Sequence, residues 1–216
     1  MKIYFVRHGE TDYASVEARG VKGWARSFAP LSPIGRVQID TIAKDYRLEE
    51  TDAILCSSYT RALESAARLS RALNKPLYVE YDLHEWLPQK DSLGDSDGET
   101  IAKAQAALRY YTGFNYYNGD VNPEDMMYAP DFDESIPPEA RAIPPAAERT
   151  WESLEEVRER VIRALRRYNH LSSVLVVSHA VVIASFLGVQ RQISHAEIVA
   201  FDLDLDTTEA TQVRAF

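Results

Sequence analysis

Short apolar runs alternate along this chain with longer stretches of amphipathic spacing. Residues 2–6 are short, apolar and rich in β-formers, which predicts a buried strand. Ser32 before Pro33 predicts a helix start, with the helix running to about Tyr46 and Ile34, Val37, Ile42 and Ala43 on its apolar side. Residues 53–56 read as a second strand. Thr60 is expected to cap a helix reaching about Leu73, with Leu63, Ala66, Ala67, Ser70 and Leu73 near helical spacing. A third strand is predicted at 77–81, ending near Leu83-His84-Glu85. The strongest amphipathic pattern lies at 151–168. Leu154, Val157, Val161, Ile162 and Leu165 mark its buried stripe, and Glu155, Glu156, Arg158, Glu159, Arg160 and Arg163 its mainly solvated side. A strand at 174–177, a helix at 181–187, an alternating strand at 197–204 and a final edge strand at 211–214 complete the pattern.

Strands alternating with helices predict a three-layer α/β/α domain with a mostly parallel sheet covered on both faces. Sites in such sheets form beyond the carboxyl ends of the strands. Arg7, His8, Arg61, Glu85 and His179 all fall just past predicted strand ends. Residues 87–149 interrupt the alternation. They contain a predicted helix at 101–111 and then many Pro, Asn and Tyr residues. Between Tyr110 and Ala140 there are seven acidic residues and no Lys or Arg. This segment is expected to be an inserted lid within a single domain spanning 1–216. Its aromatic residues (Tyr110, Tyr111, Phe114, Tyr116, Tyr117 and Tyr128) suit a small core of the insertion, an interface or a stacking surface.

Composition narrows the function. At 216 residues and 45% apolar content, one sizeable core is expected. The single cysteine, Cys56, excludes an internal disulfide framework and a Cys-rich zinc site. A net charge of −9 with no long basic stretch argues against nucleic-acid binding. No apolar stretch is long enough to span a bilayer, and the amino terminus lacks the pattern of a secretory signal. A cytoplasmic setting is the expectation.

The chemistry begins at Arg7-His8-Gly9-Glu10. Arg7 offers a planar fork to phosphate oxygens, and His8 offers a neutral ring nitrogen as a nucleophile. Gly9 removes a side chain where backbone must approach closely. Arg61 follows the second strand in Ser57-Ser58-Tyr59-Thr60-Arg61-Ala62, and His179 follows Ser178 at the end of the Val-rich strand. Alone, His179 would read better as a core histidine. Only four residues separate Cys56 from Arg61, where a Cys-dependent phosphatase loop has five, and none of them is glycine. Cys56 reads as core rather than as the thiolate of such an enzyme.

Together, these motifs resemble the histidine phosphatase (phosphoglycerate mutase-like) superfamily. Arg7-His8-Gly9-Glu10-Thr11, Leu31-Ser32-Pro33-Ile34-Gly35, the segment around Arg61 and Ser178-His179 appear in the family's order. The resemblance covers roughly residues 1–86 and 150–204 and is weak in the insertion. It implies a metal-independent, cofactor-free phosphomonoester hydrolase. In that reading Arg7, Arg61 and His179 hold the phosphate, His8 becomes phosphorylated, and Glu85 is the general acid and then base. Glu99 is the rival acid. The cations near Glu85 are expected to depress its carboxyl, so that it becomes a competent acid only with substrate bound. Ala14 and Ala180 stand where many members have Asn and Gly, and the usual Asp near Phe28-Ala29 is absent, which implies weaker phosphate contacts and the same reaction. The expected substrate is a small phosphomonoester, with a phosphoprotein also open. The alternatives are mutase-type phosphoryl transfer and a non-catalytic phospho-ligand or protein-binding module. His84, His170 and His195 match no motif.

Overall fold

Side-chain alternation along the central strands divides the core in two. Ile3, Phe5, Leu55, Val174 and Val176 face one helical layer, while Tyr4, Val6, Ile54, Cys56, Leu175 and Val177 face the other. The computed structural model describes residues 1–90, 98–112, 142–187 and 191–213. Its strands are β1 (Lys2–Arg7), β2 (Ala53–Ser57), β3 (Leu77–Glu80), β4 (Ser173–Ser178), β5 (Ile198–Leu203) and β6 (Ala210–Val213). They form one sheet in the order β3-β2-β4-β1-β5-β6. The first four strands are parallel, and β5 and β6 are antiparallel. The expected three-layer fold with a mostly parallel sheet is therefore observed.

The helices are α1 (Tyr13–Glu17), α2 (Pro33–Ile42), α3 (Tyr46–Glu49), α4 (Thr60–Leu73), α5 (Gly98–Thr112), α6 (Leu154–Arg166) and α7 (Ala180–Ala184). Side chains of α2, α3 and α4 build one core layer, and those of α5, α6 and α7 build the other. Among the described residues no helix is long and apolar enough to cross a membrane. The insertion is seen as α5 and the stretch from 142. Residues 91–97 and 113–141, where most of the expected lid falls, lie outside the described residues, as do Phe114, Tyr116, Tyr117 and Tyr128.

Three helix faces differ from the periodic reading. Ile34 and Val37 are 58% and 64% exposed, and α2 instead buries Gly35 and Ile39. The reason is the partner: α2 docks on the loop after β1, where Gly35 meets the Glu10 backbone and Gln38 accepts the Glu10 N–H at 2.8 Å. On α4, Leu63 is exposed and Ala62, Ser65, Ala66 and Leu69 face the sheet. Thr60 is the first residue of that helix; the cap position belongs to Tyr59. On α6, Arg160 is buried beside Val157 and Val161, because an ion pair holds it there. The Ser153–Glu156 capping box starts this helix at 154, later than the periodicity suggests. Helix α2 also ends earlier than expected, at Ile42, with Asp45 capping the separate turn α3.

Candidate active site

Strand register brings the chemistry to one edge. Arg7 pairs with Ser178, Cys56 with Val177 and Ser57 with Glu80, so the carboxyl ends of four parallel strands lie level. Just beyond that row stand His8, Arg61, Glu85 and His179, all buried. Arg7, His8, Arg61 and Glu85 line a cavity of about 340 Å³, whose walls also include Tyr13, Arg26, Tyr59, Trp86, Ile101, Gln105, Ala180 and His195. His179 lies fully buried behind the wall, its ring 5.2 Å from that of His8.

The hydrogen bonds of His8 define its tautomer. Nδ1–H donates to the Gly9 carbonyl at 2.8 Å, because a carbonyl can only accept. Nε2 therefore carries the lone pair, and it accepts from Arg61 Nε–H at 3.1 Å. Burial, then the charges of Arg61 and Arg7, holds the imidazole well below its usual pKa and keeps it neutral. A neutral ring with Nε2 free of a proton is the form needed for nucleophilic attack.

The loop that follows is built by close backbone contact. Gly9 N–H donates to Ser65 Oγ at 3.2 Å, and Ser65 Oγ donates to the Arg61 carbonyl at 2.7 Å. A Cβ on Gly9 would come within 2.4 Å of the Gly35 carbonyl oxygen, and one on Gly35 within 2.1 Å of that of Glu10. Both positions thus require glycine. Ser32 Oγ caps α2 through the Gly35 N–H at 3.0 Å and donates to the Glu10 carboxylate at 2.6 Å. The Leu31–Gly35 motif is therefore the dock for the loop carrying His8.

Arg61 does not pair with Glu64. Glu64 is taken by Arg36 at 2.6 Å and by the Leu31 N–H at 2.8 Å, which leaves the Arg61 guanidinium directed to His8 and over the Tyr59 ring. Arg7 is anchored by a bond from Nη1 to the Ile193 carbonyl. His179 Nε2 lies 2.8 Å from Ser57 Oγ, and its Nδ1 is buried without a hydrogen-bond partner. Its pKa is also held well below the usual value, chiefly by burial and then by Arg61. A buried, unpartnered ring nitrogen beside His8 is suited to meet an oxygen of a bound anion.

Glu85 corrects one expectation. Burial is the largest influence on its carboxyl and raises its pKa above the usual value, outweighing the Trp86 N–H and the cations Arg61, Arg7 and Arg160. The shift runs opposite to the depression expected from the cations. Glu85 Oε1 accepts the Trp86 N–H at 2.9 Å. The Glu99 side chain lies outside the described residues. Cys56 is buried in the core and its thiol is pushed up to about 12 by burial, as a structural cysteine should be.

His195 was missed in the sequence. Its ring lies 5.6 Å from His8, and burial followed by the charge of Arg7 pushes its pKa down to about 4. Ala196 N–H bonds the Arg7 carbonyl at 3.0 Å, latching this loop to the end of β1. The usable signal was strand direction. Because β5 runs antiparallel to β1, the loop before it arrives at the carboxyl edge. His84 sits under the site, its Nδ1–H on the Glu85 carbonyl at 2.7 Å; His170 is exposed after α6.

A family model described as the histidine phosphatase superfamily (branch 1) matches residues 3–126 and 121–215, through the insertion as well as the core. Solved structures are similar over nearly the full length. Bacillus stearothermophilus YhfR shares 20% identity, with 98% of this chain and 94% of that one covered and a TM-score of 0.62. A mycobacterial glucosyl-3-phosphoglycerate phosphatase complexed with VO3 shares 18%, with 98% and 96% covered and a TM-score of 0.61. The α-ribazole phosphatase from Shigella flexneri shares 18%, with 99% and 95% covered and a TM-score of 0.56. These likenesses establish the fold. Among curated proteins, none matches the sequence.

Proposed function

The chain belongs to the histidine phosphatase superfamily (branch 1), and from that premise we propose that it hydrolyses phosphomonoesters through a phosphohistidine on His8. The observation that carries this reading is the His8 tautomer, with Nδ1–H on Gly9 and the Nε2 lone pair facing Arg61.

A phosphate dianion enters between Arg7, Arg61 and His179. Arg61 Nε–H passes from His8 Nε2 to a phosphate oxygen, which frees the lone pair. Nε2 then attacks phosphorus in line as the bond to the ester oxygen breaks, while the arginines balance charge on the equatorial oxygens. The Glu85 proton goes to the departing oxygen. In the second half Glu85, now a carboxylate, takes a proton from water. The water oxygen bonds to phosphorus, the P–N bond breaks, and inorganic phosphate leaves neutral His8 and protonated Glu85. No step calls on a metal ion or cofactor.

The substrate is a small phosphorylated metabolite in this reading. The cavity size supports it, as do the substrates in the names of two similar structures, glucosyl-3-phosphoglycerate and α-ribazole phosphatases. The test is hydrolysis of p-nitrophenyl phosphate in excess chelator by wild type and His8→Ala, with acid-labile phosphate trapped on the protein in parallel. Chelator-resistant turnover and trapped label, both lost in His8→Ala, are expected. Turnover that survives His8→Ala would overturn the reading.

A further inference from the structure

Glu85 lies in irregular backbone beyond the 3₁₀ turn Tyr81–Leu83. Ser178 Oγ on β4 donates to the Leu83 carbonyl at 2.8 Å, and a buried ion pair holds the rest of the segment. Arg160, on α6, donates from Nε to Glu152 Oε1 at 2.8 Å and from Nη2 to Oε2 at 3.1 Å. The same guanidinium donates from Nη1 to the Asp82 carbonyl at 2.6 Å and from Nη2 to the Glu85 carbonyl at 3.3 Å. Glu152 holds the far end. Its Oε2 accepts the Leu87 N–H at 2.8 Å, its N–H donates to the Leu87 carbonyl at 3.0 Å, and its carbonyl accepts Trp86 Nε1–H at 2.6 Å. Both members of the pair are buried, and neither lines the cavity.

We propose that the Arg160–Glu152 pair is the positioning device that aims the Glu85 carboxyl at the leaving-group oxygen. The path is continuous. Glu152 fixes the backbone of Leu87 and the ring of Trp86, the Trp86 N–H binds the Glu85 carboxyl, and Arg160 pins the Glu85 carbonyl on the other side. A planar guanidinium reaches two carbonyls and a carboxylate at once, which the point charge of a lysine cannot do. An apolar pair of the same volume would leave the Asp82 carbonyl and the Leu87 N–H without these partners. A proton donor displaced by about 1 Å loses rate on the order of a hundredfold. The proposal rests on Glu85 being the general acid.

Only esters with poor leaving groups need that acid strongly, so the leaving group separates positioning from folding. The experiment measures kcat/KM for a series of aryl phosphates from p-nitrophenyl to phenyl phosphate, in wild type, Glu85→Gln, Arg160→Lys and Glu152→Gln. Glu85→Gln is expected to steepen the dependence on leaving-group pKa. Arg160→Lys should steepen it in the same sense, with phenyl phosphate losing about ten- to a hundredfold more than p-nitrophenyl phosphate. Adding Arg160→Lys to Glu85→Gln should then cost phenyl phosphate little extra. Glu152→Gln, which keeps the volume and an acceptor for Leu87, gives the same readout should Arg160→Lys fold poorly. An equal loss across the series in both pair variants, or no loss, overturns the positioning role. A dependence in Glu85→Gln no steeper than that of wild type overturns the acid assignment, and the positioning role with it.

Discussion

Arg61 Nε sits 3.1 Å from His8 Nε2, the nitrogen that attacks phosphorus in the proposed mechanism. In that mechanism the nucleophile of the free protein is capped by one of the groups proposed to bind the phosphate. Phosphate binding has to move that donor, so Arg61 links ligand recognition to exposure of the lone pair. Lysine at this position cannot reproduce the fork. Arg61→Lys should lower kcat/KM for p-nitrophenyl phosphate by about 10²–10³-fold, with orthovanadate inhibition weakened in parallel. A loss under about threefold would show that Arg61 is a structural neighbour of His8 only.

The pH dependence follows from two opposite shifts. His8 is held well below 6.5, so the attacking form persists into mildly acid solution. Glu85 is raised above 4.5, so the acid form persists beyond the usual carboxylate range. With rates referred to the substrate dianion, phenyl phosphate should show an acid limb below 6.5 from His8 and a basic limb above 4.5 from Glu85. Glu85→Gln should remove the basic limb and lower that rate by about 10²–10⁴-fold. A basic limb that stays in the variant would assign it to another group.

Arg7, His8 and His179 were legible because each stands at the end of a local apolar run, and Arg61 because it opens the helix that follows one; parallel strands carry such ends to one edge. The faces of α2 and α4 were not. Hydrophobicity pointed to Ile34 and Val37, but the docking partner is a backbone loop that admits glycine and selects Gly35 and Gln38. Arg160 read as solvated because its partner, Glu152, stands ahead of the helix and outside its periodicity. His195 became visible only with the direction of β5. Local patterns thus carried the chemistry, while contacts made across layers decided what supports it.

Gly35→Ala tests that docking contact. The added Cβ would stand 2.1 Å from the Glu10 carbonyl oxygen, which is backbone and cannot swing aside. Either α2 or the loop after His8 must move. Overpacking of this kind costs about 1–3 kcal/mol, and the catalytic loop should shift with it. Urea unfolding should give a loss in that range, with kcat/KM falling more than the folded fraction does. An unchanged midpoint and full activity would show that the two backbones have room to part.

Acid stability should reflect an opposition inside the site. His8 and His179 are kept neutral in the fold, so below 6.5 the unfolded chain binds protons that the native state refuses. Their contribution is present above 6.5 and is lost as pH falls. His84 and His195, also lowered, act in the same direction. Glu85 acts oppositely. Its raised pKa gives stability that is full below 4.5 and is lost as pH rises through the folded value. Each full proton of difference is worth about 1.4 kcal/mol per pH unit. The histidines outnumber the carboxyl, so unfolding free energy should fall from about pH 6.5 toward pH 5, read by urea titration in small pH steps. Glu85→Gln should steepen that fall and leave the protein more stable than wild type on the alkaline side. His179→Gln should flatten it. A wild-type slope of zero across this range would mean that the buried histidines accept protons in the native state, and the neutral nucleophile at His8 would then need another explanation.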